Sequence, residues 1–164
     1  MWSQPMSRRL SRAIATLALF SLVMAAPAQA ACIDRQTATA ARIHQFETMM
    51  MVVSLRCNRI GYDMRGTYEG MVTAHQAPFG QAATRLRHFL GGDGIDPHSG
   101  GFDRYATILG NSYGGGATSF ATCQTLDQVA GELAKVPDVR LLAQVAETLI
   151  ARPKLDEMAC AAEN

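Results

Sequence analysis

Beginning at Ile43, apolar residues recur at Phe46, Met50, Val53, Cys57 and Ile60, alternating steps of three and four that trace one stripe of an α-helix. Met49, Met51, Val52 and Leu55 occupy other sides of the same turns, which predicts a helix buried around its middle. Asp34 can cap its start and Gly61 can end it. Such a helix has to be surrounded by others, so it would organise the core of a bundle.

The rest of the chain repeats the pattern. Tyr68, Met71, Val72, His75, Phe79, Ala82, Leu86 and Phe89 keep one helical face from Thr67 to Leu90, interrupted at Pro78 by a kink or by a break into two short helices. The stretch Gly91 to Gly101 holds too much Gly, Pro and Asp for regular structure. Phe102, Tyr105, Leu109 and Tyr113 mark a short helix that stops at Asn111 or at Gly114-Gly115-Gly116. Thr118 or Ser119 can cap the next, with Phe120, Cys123, Leu126, Val129 and Leu133 on its face. Beyond Pro137, Leu142, Val145, Ala146 and Leu149 resume the period. Sustained strand-like alternation and internal repeats are both absent. The prediction is an all-α bundle of four to five helices.

Residues 1–30 read as an export signal: Arg8, Arg9 and Arg12 supply a positive start, residues 13–26 an apolar run, and Ala28-Gln29-Ala30 a cleavage signature. The run is shorter than the ~20 residues that span a bilayer. Ser7-Arg8-Arg9 leaves a twin-arginine route open, although Leu10-Ser11-Arg12 departs from that motif. Lipidation of Cys32 is the other variant, against which Gln29 stands where a lipobox has Leu. The expected division is a signal peptide, 1–30, and a single helical domain, 31–164, periplasmic or secreted. Removing the signal leaves 134 residues with 12 basic and 14 acidic side chains, about −2. A charge so near neutral sets up no long-range field for nucleic acid, and none is expected as a partner.

All four cysteines fall after the signal, which in an oxidising compartment implies disulfides. Four cysteines allow three pairings. Cys57 and Cys123 lie on apolar helix faces and Cys32 and Cys160 near the two ends, so the expected pairs are Cys57–Cys123 within the core and Cys32–Cys160 between the ends. No C-x-x-C occurs, and no His stands at zinc-ligand spacing from another His or a Cys.

The spaced pattern Leu55-Arg56-Cys57, His88-Phe89-Leu90, Phe102-Asp103-Arg104-Tyr105-Ala106-Thr107-Ile108-Leu109-Gly110-Asn111 and Cys123 resembles small exported helical proteins of alphaproteobacteria. The resemblance covers about the middle seventy residues. It implies an exported helical domain containing a disulfide and carries over no catalytic or binding residue.

Four features bear on chemistry. Gly91 to Ser99 matches the calcium-binding nonapeptide G-G-x-G-x-D-x-U-x except that His98 takes the hydrophobic place, and a solitary copy supplies half of a site that stacked turns share. Met71 and His75, four residues apart, could begin a thioether and imidazole site for copper, against the simpler role of core packing. Glu69 beside Tyr68 is the one candidate general acid of a cell-wall hydrolase, and no second carboxylate accompanies it. G-x-S-x-G, H-E-x-x-H and the P-loop are missing. Finally, Phe102, Arg104, Tyr105, Asn111 and Tyr113 combine aromatic and polar groups between two glycine-rich loops, which could present an edge to a partner or dock the helix. The expected protein is therefore a non-catalytic, cofactor-free component of the bacterial envelope that binds another envelope protein. A copper or small-ligand binder and a wall hydrolase are the alternatives, and the oligomeric state is open.

Overall fold

The computed structural model describes residues 33–91 and 100–155, which belong to one compact unit. Six helices occur among them: α1 (Arg35–Arg59), α2 (Arg65–Ala74), α3 (Gln76–Gly91), α4 (Gly101–Gly114), α5 (Phe120–Lys135) and α6 (Val139–Leu149), with no strand among the described residues. The long α1 touches each of the other five. Ile43, Phe46, Met50, Val53 and Cys57 line its buried stripe.

The ends of α1 follow from local chemistry. The Asp34 carboxylate accepts the backbone N–H groups of Gln36 and Thr37, donors that a helix start leaves without intrahelical partners. At the other end Gly61 is left-handed (φ +86°), its N–H donates to the Asn58 carbonyl, and the Tyr62 N–H reaches back to that of Cys57. Together these make a Schellman stop. Ser119 caps α5 and Asp138 caps α6 in the same manner as Asp34.

Six helices replace the expected four to five because the segment after Gly61 divides at His75, three residues before the proline. Pro78 sits in the first turn of α3, where an N–H has no intrahelical acceptor to lose. The two halves stay in phase, and Met71, His75, Phe79, Ala82 and Leu86 form one buried face.

Three expectations about burial are corrected. Met51 (41% exposed) and Leu55 (60%) face outward, so α1 is covered on its core stripe and open on one side rather than buried all round. Ile60, at the helix stop, is exposed. Phe120 opens α5 at the surface, where its ring meets that of Tyr62 edge-on at 6.1 Å.

The Cys57–Cys123 disulfide joins the last turn of α1 to the first turn of α5, with both residues fully buried. Cys32 and Cys160 lie outside the described residues, as do the bulk of the calcium-like nonapeptide and the signal segment. Where the chain re-enters helix at α4, a side chain at Gly101 would stand 2.7 Å from the Leu90 carbonyl oxygen, so only glycine fits.

Candidate functional site

The chemistry-bearing residues of the middle region gather on α4. Its buried side is built from Tyr105 and Leu109, flanked by the half-buried Phe102 and Tyr113, at the i, i+3, i+7, i+11 spacing of one helix face. This face docks on α1. The Phe102 ring lies 5.2 Å from the His44 ring and beneath the Arg87 guanidinium of α3, 4.4 Å from its centroid. Tyr113 Oη accepts from the Gln45 amide at 2.6 Å. Arg56 then donates one nitrogen to the Tyr113 carbonyl at 2.8 Å and another to that of Gly116 at 2.7 Å, fixing the end of α4 and the glycine run behind it.

Two groups in this contact have no hydrogen-bond partner among the described residues: the Tyr105 hydroxyl and both ring nitrogens of His44. Burial pushes the Tyr105 phenol well above its ordinary value, with Tyr113 adding to the effect. His44 Nδ1 stands 3.6 Å from the Glu47 carboxylate, beyond good hydrogen-bond length. A neutral phenol against an imidazole in such surroundings packs and orients. It does not form a nucleophile and base pair.

The five residues expected to meet a partner thus divide. Phe102, Tyr105 and Tyr113 hold α4 to the bundle, whereas Arg104 and Asn111 are exposed. Ile108, 49% exposed, lies between them at i, i+4, i+7 and completes an outward face. Ile108 falls off the apolar stripe, and a hydrophobe in that place was the signal for this face in the sequence.

The other candidates lie elsewhere. Met71 and His75 are fully buried, and His75 Nε2 donates to the Leu133 carbonyl at 2.9 Å, tying α2 to α5. Met50 and Met64 are buried in the same core, whereas Met51 is at the surface. Among the described residues no three His, Cys, Asp or Glu side chains come together as metal ligands. Glu69 is exposed on α2, as an ordinary surface residue would be, and not the buried carboxyl that a general acid of a wall hydrolase would need. It and Glu47 act on Tyr68, whose phenol is raised chiefly by burial. A cleft that sequence periodicity missed lies between α1 and α6, lined by Arg35, Thr39, Arg42, Ala143, Gln144 and Glu147.

Compared with protein-family models, with curated proteins and with solved structures, the chain matches none. Among the described residues no helix is long and apolar enough to cross a membrane.

Proposed function

We propose that this protein is an exported, non-catalytic helical component of the bacterial envelope that binds a protein partner through the outward face of α4. The observation that carries the reading is the fully buried Cys57–Cys123 disulfide, because such bonds form and persist in oxidising compartments. The positive start, apolar run and A-x-A signature of residues 1–30 support the same address. Arg104, Ile108 and Asn111 are the binding residues in this account. An exposed isoleucine beside an arginine has the composition of an interface centre, and the inward side of α4 holds the helix rigid.

The test is site-specific photocrosslinking in the exported fraction. A crosslinker at position 108 should give a discrete adduct that is absent from position 128 on α5 and lost when Arg104 is changed to Glu. Equal labelling at both positions, or none at 108, would overturn the assignment of this face.

A further inference from the structure

We infer that the cleft between α1 and α6 is a carboxylate-binding site built on Arg35 and Arg42. The two arginines lie two turns apart on one side of α1, with Thr39 between them, and Gln144 and Glu147 of α6 form the opposite wall of a space of about 570 Å³. Arg42 Nε is buried and has no acceptor among the described residues. Neither guanidinium stands within 4.0 Å of a carboxylate among them, Glu147 included. A buried guanidinium N–H is a strong donor that folded proteins almost always satisfy, and its planar fork matches a carboxylate.

The charge of the site narrows the ligand. Two arginines against one glutamate leave a single excess positive charge, which suits a carboxylate better than a dianionic phosphate. One source is close along the chain. The Lys154 N–H donates to the Gln45 side-chain oxygen at 2.9 Å, which brings the chain against α1 within one turn of Arg42, and Asp156 and Glu157 follow two and three residues later. The other source is a carboxylate in solution or on a partner.

The experiment follows the Arg42 Nε–Hε resonance of the full chain by NMR, alongside its urea midpoint. If Asp156 and Glu157 fill the site, the Asp156→Asn, Glu157→Gln double variant shifts the resonance and acquires a saturable response to sodium succinate. If the source is external, the unaltered chain itself responds to succinate and its midpoint rises above that in sodium chloride of equal ionic strength. In either case Arg42→Lys, which keeps the charge and loses the fork, weakens the response about tenfold or more. The inference is overturned if chloride and succinate act equally on the midpoint of both the unaltered chain and the double variant.

Discussion

Arg85 grips the cap of a helix 51 residues away: its Nη2 lies 2.8 Å from Asp34 Oδ1 while its Nε donates to the Thr37 hydroxyl, which itself donates to Asp34 Oδ2. The carboxylate that starts α1 is therefore also the point at which α3 is fastened to it. The Thr37 contacts, opposed in part by burial and helped by Arg85, hold the Asp34 carboxyl down at about 2.

Acid stability should carry the mark of this group. The folded-state value lies below the ordinary 3.8, so the stabilisation is whole above about pH 4 and drains as pH falls toward 2. Asp34→Asn keeps a capping side chain and should flatten that part of the stability profile. Asp34→Ala removes the cap as well and should cost about 1 kcal/mol at neutral pH. Urea unfolding across the acid range measures both, and an unchanged profile in Asp34→Asn would refute the assignment.

Breaking the core disulfide should be expensive. The bond closes a separation of 66 residues, for which the chain-entropy relation gives about 4 kcal/mol. The Cys57→Ala, Cys123→Ala variant should lose stability on that scale in urea. Because both sulfurs are buried, reductant should act on the unaltered protein only as fast as it unfolds. Rapid thiol release from the native state would contradict the buried placement.

The interface of α2 with α5 offers opposite effects from two glycines. A Cβ on Gly131 would meet Thr67 at 3.8 Å, ordinary contact, so Gly131→Ala should stabilise by up to about 1 kcal/mol through helix propensity. On Gly70 it would stand 3.3 Å from the Ala134 Cβ, and the bulkier Gly70→Leu should destabilise by about 1–3 kcal/mol. Thermal midpoints of the two variants should move in opposite directions.

His75 and Met71 should separate cleanly. Met71→Leu conserves volume in the core and should cost less than about 1.5 kcal/mol. His75→Leu leaves the buried Leu133 carbonyl without its donor and should cost about 1–3 kcal/mol. Equal effects in urea titration would mean that the bond to Leu133 adds nothing.

Periodicity reads what is local. The stripe from Ile43 to Cys57, the caps at Asp34 and Ser119 and the stop at Gly61 are each set by residues within a turn or two, and all stood in the sequence. The Cys57–Cys123 pairing was legible because both cysteines lie on apolar faces. A break into two short helices was one of the two readings at Pro78, but its place at His75 was not legible, since proline is the usual sign of a break and Pro78 fits comfortably in a first turn. Nor were the long-range polar ties of Arg56 to Tyr113 and Gly116, or of Arg85 to Asp34, because no local pattern says which distant group a long side chain will reach. On α4 the sequence offered both an edge for a partner and a docking face, and the packing of Phe102, Tyr105 and Tyr113 on the bundle leaves Arg104 and Asn111 outside with Ile108.

The central claim is export to an oxidising compartment, and intact masses of the protein measured in the cytoplasmic and exported fractions of the same cells, with and without reductant, test it directly. The account predicts the mass of residues 31–164 less four hydrogens, regained on reduction, for cleavage after Ala30 and two disulfides. A cytoplasmic species that keeps residues 1–30 and carries free thiols at Cys57 and Cys123 would contradict it.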